Sequence, residues 1–207
     1  MTKEVKAMNI TKANGKNEYD LIENLKKRSG ETDEKIVEAV TTIINSVKEQ
    51  GDEAVREFTA RFDGIVPRKT VIEKDELNSY LDCVDEDFKN AIIKAKNNIY
   101  DFHLRQAQQS WMTTKENGVI MGQRIRGLHR VGIYVPGGTA AYPSSVLMNA
   151  IPAKIAGVKE IIMVTPPGKD GNPNPDIMAG AAVAGVDRVF LVGGAQAVAA
   201  LAFGTEK

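Results

Sequence analysis

The alternation of apolar strands and helices that begins near residue 131 most constrains the fold of this chain. Three runs that are nearly continuous in Val, Ile, Met, Phe and Leu predict strands at Val131–Val135, Glu160–Thr165 and Arg188–Val192. Such runs are typical of strands that are buried on both faces of a parallel sheet. Helical segments are predicted between and after them, at Ser144–Ala156, Asp176–Ala184 and Ala195–Phe203.

The order βαβαβα predicts an α/β fold, with about half of a doubly wound, Rossmann-like parallel sheet over residues 131–207. Pro152 should kink the first of these helices, because its ring removes a backbone hydrogen bond and clashes with the carbonyl of Met148. The proline-rich segment Pro166–Pro175 is expected to be an exposed loop after the second strand.

Residues 29–130 predict the helix-rich first part of an α/β domain. Apolar spacing and caps predict helices over Thr32–Gln50, Asp52–Asp63 and Asp75–Leu81, the last with Asp75 as its N-cap, and a long helix capped by Asp85. A short strand is expected at Thr70–Glu73. We interpret the apolar stripes of these helices as core, including Ile36, Val37, Val40, Ile43, Ile44, Val47, Phe58, Phe62, Phe88, Ile92, Ile99 and Phe102.

Residues 111–127 change to a period of two around Asn117-Gly118, which is a strong signal for a β-hairpin. We expect strands at Met112–Lys115 and Val119–Ile125. The basic residues that follow fit either a phosphate-binding surface or a solvated edge strand, and the second reading is favoured; they are Arg124, Arg126, His129 and Arg130.

Residues 1–28 are predicted to be a polar arm in which Tyr19, Leu21, Ile22 and Leu25 suffice for a short helix. So little apolar surface cannot offset the ordering entropy of the segment, so the arm either frays or packs on another subunit.

Composition excludes several classes of function. Lys plus Arg equals Asp plus Glu, with 27 of each, which gives no electrostatic basis for binding nucleic acid or an acidic membrane. The chain shows neither a signal peptide nor a membrane-spanning run. A single cysteine, Cys83, allows no internal disulfide and no thiolate cluster for zinc, so the cytoplasm is the expected location.

Ligands of parallel sheets bind outside the carboxyl ends of the strands, which here carry Pro136-Gly137-Gly138-Thr139 and Gly193-Gly194. There, Tyr134 can place a ring and a hydroxyl beside a nucleotide, and Gln196 can hydrogen-bond a ribose or an amide. Both also fit structural roles, since a strand tyrosine can be half-buried core and glycine pairs can serve close helix–sheet packing. Hydroxyl groups expected to face the same crevice belong to Thr139, Ser144 and Ser145, although Ser144 can also act as a helix cap.

Two segments in this order, RVGIYVPGGTAAYPSSVLMNAIPAKIAGV (130–158) and VGGAQAVAALAFGTE (192–206), resemble signature regions of the histidinol dehydrogenase family. The resemblance implies an NAD-dependent oxidation of L-histidinol to L-histidine through a bound aldehyde, in a zinc-containing homodimer. It implies that Tyr134 and Gln196 bind NAD, and that the arm embraces the partner subunit.

The same resemblance implies that the zinc ligands and the catalytic Glu-His pair lie beyond Lys207. The two histidines, His103 and His129, stand in no metal-binding pattern. We therefore expect no catalytic and no metal-binding residue in this chain, and no activity from it alone. Two alternatives stay open: an aldehyde dehydrogenase-like NAD(P) enzyme, which the lack of a cysteine near the motifs disfavours, and a non-catalytic nucleotide-binding or dimerisation module.

Overall fold

The computed structural model describes residues 10–30, 34–137 and 141–206. These residues form two compact units, and the boundary between the units falls between Thr42 and Ile43, inside a helix. The elements in chain order are α1 (Asn17–Gly30), α2 (Glu34–Gln50), α3 (Asp52–Asp63), β1 (Val71–Glu73), α4 (Lys74–Ser79), a 3₁₀ turn (Tyr80–Asp82), α5 (Glu86–Leu104), β2 (Trp111–Thr114), β3 (Ile120–Gln123), β4 (Arg130–Tyr134), α6 (Pro143–Ile155), β5 (Glu160–Thr165), α7 (Pro175–Ala184), β6 (Arg188–Leu191) and α8 (Gly194–Phe203).

A four-stranded sheet in the order β1-β6-β5-β4 organises the second unit. The strands β4, β5 and β6 are parallel, with Arg130 opposite Glu160 and Ile162 opposite Arg188. The strand β1 adds to the outer edge of β6 in the antiparallel sense. The predicted α/β fold with a parallel sheet is therefore confirmed, and each of the three predicted strands lies within one residue of its expected ends. The predicted domain limits at residues 28 and 130 remain predictions.

Helices cover both faces of this sheet. On one face, Ile133, Ile161 and Met163 join the large apolar core that is formed with α5, α6 and α7. On the other face, Val164 packs with Val192 and Ala197, and α8 lies there together with α3. Because neighbouring residues of a strand point to opposite faces, a strand that is covered on both sides must be apolar throughout. This requirement explains the continuous apolar runs of the sequence.

The apolar stripe that predicts α2 is only half buried. Ile43 and Val47 are buried in a core with Ala54, Phe58 and Ala199, whereas Ile36, Val37 and Val40 are exposed. The interpretation of this whole stripe as core was therefore wrong for its first half. It was also wrong for Phe62 on α3 and Phe102 on α5, which are more than half exposed.

The arm predicted over residues 1–28 is described from residue 10 onward, and its helix is confirmed as α1. Its four apolar side chains, Tyr19, Leu21, Ile22 and Leu25, are all exposed. The predicted start of α2 at Thr32 lies outside the described residues. Within the described ranges, no helix combines the length and the apolar content needed to cross a membrane.

Helix ends agree with the sequence in most places. Asp85 caps α5 by accepting a hydrogen bond from the Phe88 N–H at 2.8 Å, and Gly64 ends α3 in the left-handed conformation with φ 73°. The assignment of Asp75 as an N-cap was wrong, because α4 begins one residue earlier and Asp75 lies inside its first turn. The helix α6 continues through Pro152 to Ile155, and the predicted kink stays a prediction.

The predicted hairpin is confirmed as a separate two-stranded sheet of β2 and β3, in which Trp111 lies opposite Gln123. Gly118 adopts φ 81° in the turn, and the Asn117 side chain accepts a hydrogen bond from the Val119 N–H. All eight strand residues are exposed. A two-stranded ribbon is only marginally stable alone, and this one carries Met112 with 80% of its surface exposed.

Two carboxylates tie the amino ends of the strands together. Glu160 on β5 accepts hydrogen bonds from Arg130 on β4 at 2.5 Å and from Arg188 on β6 at 2.7 Å. Hydrogen bonds from these two arginines lower the pKa of the Glu160 carboxyl. Arg130, the last of the basic residues noted in the sequence, thus forms an ion pair within the sheet.

The second carboxylate, Asp187, accepts hydrogen bonds from Lys154 at 2.9 Å, from Lys74 at 3.1 Å and from the backbone N–H of Ile161 at 2.9 Å. Partial burial raises the pKa of Asp187, but these hydrogen bonds outweigh it and leave the pKa below its ordinary value. Asp187 therefore connects α4, α6 and β5 just before β6 begins.

We predict that Asp187→Ala lowers the free energy of unfolding by about 1–3 kcal/mol, because the buried Ile161 N–H loses its acceptor. Since the pKa of Asp187 is lower in the folded than in the unfolded chain, its contribution is complete above the ordinary aspartate pKa. The contribution disappears as the pH falls through the folded value. Urea unfolding of parent and variant at neutral and acidic pH measures both effects.

Asp101→Ala, on the exposed surface of α5, is the control and should leave the free energy of unfolding nearly unchanged. Equal stability of the Asp187→Ala chain and the parent at neutral pH would contradict the proposed role of the Asp187 hydrogen bonds.

Candidate functional site

The candidate site lies where the carboxyl ends of β4, β5 and β6 meet. These strands are parallel and adjacent, so the segments that follow Tyr134, Thr165 and Leu191 leave the sheet together, at what we call its carboxyl edge. Thr165 ends the central strand with 1% of its surface exposed, and its hydroxyl oxygen has no hydrogen-bond partner. The sequence analysis did not single out Thr165, although a hydroxyl that ends an apolar strand is a usable signal.

Close backbone packing at this edge accounts for two of the glycines. A Cβ atom on Gly137 would lie 3.1 Å from Pro166 Cγ and 3.3 Å from Thr165 Oγ1. A Cβ atom on Gly193 would lie 2.8 Å from Pro166 Cβ. The turns after β4 and β6 therefore both pack against Pro166, which follows the central strand. This packing supports the structural reading of these glycines, and it also brings the two turns together.

Tyr134 connects the first strand directly to the last helix. Its hydroxyl oxygen accepts a hydrogen bond from the backbone N–H of Gly194 at 3.2 Å, across 60 residues of sequence. Its side chain stands on the α8 face of the sheet, and 39% of the residue surface is exposed. Tyr134 is therefore neither core nor free, but a partly exposed ring that lies over the start of α8.

Gln196 lies in the first turn of α8, as predicted, but its side chain is buried and has no exposed surface. Neither its amide nitrogen nor its carbonyl oxygen has a hydrogen-bond partner. The side chain folds back along the helix, so that Oε1 lies 2.5 Å from the position that a Cβ atom on Gly194 would occupy. An unpaired buried amide costs free energy, and such a group is uncommon in native proteins.

The start of α8 has the features of an anion-binding helix end. Its N-cap, Gly193, provides no side-chain acceptor, and Gly194 adopts φ 66°, which only glycine tolerates easily. The first N–H groups of a helix lack partners within the helix and carry partial positive charge. The backbone at this edge can therefore hold a phosphate, and the Gln196 amide lies buried beside that position.

The structure gives less support to the other residues predicted for the site. Gly138 and Thr139 lie outside the described residues. Ser144 is exposed and Ser145 half-buried in the first turn of α6, and both lie after the actual N-cap, which is Tyr142 rather than Ser144. The prediction that Ser144 could cap this helix was wrong.

The described residues contain no group of three or more His, Cys, Asp or Glu side chains that could hold a metal ion. His103 is half-buried near the end of α5 and contacts the Gln106 side chain through Nδ1 at 2.7 Å.

A separate cavity of about 290 Å³ lies between α3, α8 and the sheet. Its lining is mostly apolar and includes Val55, Val164, Phe190 and Leu201. Neither Tyr134 nor Gln196 lines it, so this cavity is distinct from the candidate site.

The fold and the site define an α/β protein whose parallel sheet has a candidate ligand-binding edge, with a helix N-terminus and a buried amide. Comparison with known proteins identifies the family. Residues 26–207 match the family model described as histidinol dehydrogenase. The chain belongs to the histidinol dehydrogenase family.

Curated relatives agree with this assignment. The chain is 53% identical over 184 residues to a histidinol dehydrogenase of Clostridium acetobutylicum, which covers 89% of this chain and 43% of that protein. It is 47% identical over 191 residues to one of Listeria innocua, which covers 92% of this chain and 44% of that protein. The chain thus spans less than half the length of the relatives that it matches.

A solved structure is also similar. The crystal structure of histidinol dehydrogenase from Elizabethkingia anophelis aligns with a TM-score of 0.78 and 34% sequence identity. The alignment covers 85% of this chain and 41% of that chain.

We predict that Gly193→Ala lowers the free energy of unfolding by about 1–3 kcal/mol, because the added methyl group overlaps the rigid ring of Pro166. Gly180→Ala in α7 is the matched control. Its methyl group would lie 3.4 Å from the nearest atoms, and alanine favours a helix interior by up to about 1 kcal/mol. Thermal or urea unfolding measures both variants, and a Gly193→Ala chain as stable as the Gly180→Ala chain would contradict the close packing at Pro166.

Proposed function

We propose that this chain is part of an enzyme that oxidises L-histidinol to L-histidine through the aldehyde, with NAD as the electron acceptor, in histidine biosynthesis. The family assignment and the names of the relatives support this reaction. The contribution that we assign to the described residues is cofactor binding. The observation that carries it is the Tyr134–Gly194 hydrogen bond, which brings the turns after β4 and β6 to one edge beside the buried amide of Gln196.

The chemistry of these residues fits NAD. The N–H groups at the start of α8 suit the pyrophosphate, the partly exposed ring of Tyr134 suits a flat heterocycle, and the Gln196 carboxamide suits a ribose hydroxyl or a carboxamide. When bound, NAD supplies the acceptor for hydride. The chain contributes the positioning of the cofactor, because Gly137 and Gly193 let the turns after β4 and β6 approach each other closely.

We further propose that the parallel sheet is half of a Rossmann-like, doubly wound sheet. The helices α6 and α7 lie on one face, whereas α8 lies on the other, and a Cβ atom on Gly132 of β4 would meet Leu201 of α8. The helix α8 thus leaves β6 on the opposite face and packs over β4, the first of the three parallel strands. Such a change of face is typical of the point at which the strand order of a doubly wound sheet reverses. Ligands bind at that point.

The zinc ion of the complete enzyme is proposed to be held by residues in the part of the family sequence that this chain does not match. We assign no proton transfer or metal-assisted step to the present chain, and we propose that it is inactive alone.

A homodimer in the cytoplasm completes the proposal. The four exposed apolar side chains of α1 support the dimer, because an apolar helix face is stabilised when a second subunit covers it. The exposed apolar residues of the β2–β3 hairpin, including Trp111 and Met112, support it as well. The single cysteine, Cys83, suits a reducing compartment.

We predict that Tyr134→Ala and Gln196→Ala each raise the dissociation constant for NAD by about two- to tenfold, which corresponds to the loss of one hydrogen bond or ring contact. Calorimetric titration of NAD into the 207-residue chain measures the effect. Tyr100→Ala, an exposed tyrosine on α5, is the control. If both site variants and the control bind NAD as tightly as the parent, these two residues do not bind the cofactor.

A second experiment separates the candidate activities. We expect NADH production from L-histidinol only when the chain is extended with the remaining part of a family member, and we expect zinc to be retained only by the extended protein. Turnover of simple aldehydes in place of histidinol would favour the aldehyde dehydrogenase-like alternative. NAD binding without any turnover in the extended protein would favour a non-catalytic module.

A further inference from the structure

The hydrogen bond between Tyr134 and Gly194 occupies the position at which a helix end binds an anion. Gly194 is the first residue of α8, a helix of ten residues, and its N–H points out of the helix toward the phenol oxygen of Tyr134 at 3.2 Å. A backbone N–H makes one strong hydrogen bond at a time. A ligand oxygen and the tyrosine hydroxyl therefore cannot both use this donor fully.

Gln196 gives independent evidence that a ligand binds here. Its side chain is completely buried, both of its polar atoms are unpaired, and it is directed back at Gly194. If Gln196 served only for packing, an apolar side chain of similar size would stabilise the fold more, because the unpaired donor and acceptor of the amide cost free energy. The N-terminus of α8 and the buried amide of Gln196 thus lie at one polar position beside Gly194.

We propose that, in the unliganded chain, the Tyr134 hydroxyl takes the place of a phosphate oxygen at the Gly194 N–H, and that a bound pyrophosphate displaces it. The proposal rests on the proposed NAD site, and it adds a competitor to that site. The two parts of Tyr134 then have opposite effects on binding. The hydroxyl stabilises the unliganded state, and the displaced ring contacts the nucleotide.

This competition predicts a specific pattern of affinities. Tyr134→Phe removes the hydroxyl and keeps the ring, so inorganic pyrophosphate should bind about two- to tenfold more tightly, as expected from the loss of one competing hydrogen bond. Tyr134→Ala should tighten pyrophosphate binding similarly, but it should bind NAD more weakly than both Tyr134→Phe and the parent, because loss of the ring contact outweighs loss of the competing hydroxyl. Tyr100→Phe removes the hydroxyl of a tyrosine on α5 whose overall exposure is comparable, and it should change neither affinity.

Titration calorimetry of the 207-residue chain with pyrophosphate and with NAD, in separate experiments, measures these affinities. As a second readout, the ¹⁵N-amide resonance of Gly194 should shift in the free Tyr134→Phe chain, and it should shift in the parent when pyrophosphate is added. Unchanged or weaker pyrophosphate binding by Tyr134→Phe would overturn the proposal. A Gly194 resonance in the parent that does not respond to pyrophosphate would overturn it as well.

The outcomes distinguish this inference from the proposed function. If the parent binds NAD and Tyr134→Phe does not tighten pyrophosphate binding, the hydroxyl is not a competitor, and the NAD site stands. If Tyr134→Phe tightens pyrophosphate binding but no variant binds NAD, the anion position is supported, and the assignment of NAD to it fails.

Discussion

Burial of β5 on both faces is the constraint on which the rest of the second unit depends. Residues 161–165 of this strand are each at most 5% exposed, with α6 and α7 on one side and α8 on the other. Its two neighbours, β4 and β6, are both parallel to it, because each crossover helix returns the chain to the same end of the sheet. The turns after β4 and β6 consequently flank the end of β5, where Thr165 and Pro166 lie.

The candidate site follows from this arrangement. Gly137 and Gly193 pack on Pro166 from the two flanking turns, and this brings Tyr134 within hydrogen-bonding distance of Gly194. The anion-binding end of α8 and the buried amide of Gln196 are then adjacent. Neither feature would be strong evidence for a ligand alone, but together they place backbone donors and an unpaired amide in one position.

Sequence patterns were sufficient where one physical requirement dominates. The apolar runs of β4, β5 and β6, the cap at Asp85 and the Asn117-Gly118 turn were predicted closely, because each depends on local chemistry or on complete burial. The apolar stripe on α2 wrongly predicted that Ile36, Val37 and Val40 are core residues, since periodicity identifies an apolar helix face but not which part of it is covered. The burial of Gln196 could not be predicted either, because it depends on how the turn after β6 packs against residues distant in sequence.

The amino and carboxyl ends of the strands are held together in different ways. The ion pairs of Glu160 and Asp187 fasten the amino ends of the strands through side chains from β4, β6, α4 and α6, whereas the carboxyl ends are held mainly by close contacts between turns. The carboxyl ends therefore depend on the absence of a side chain at Gly137 and Gly193, so a larger residue at either position would push the two turns apart and change the shape of the candidate site.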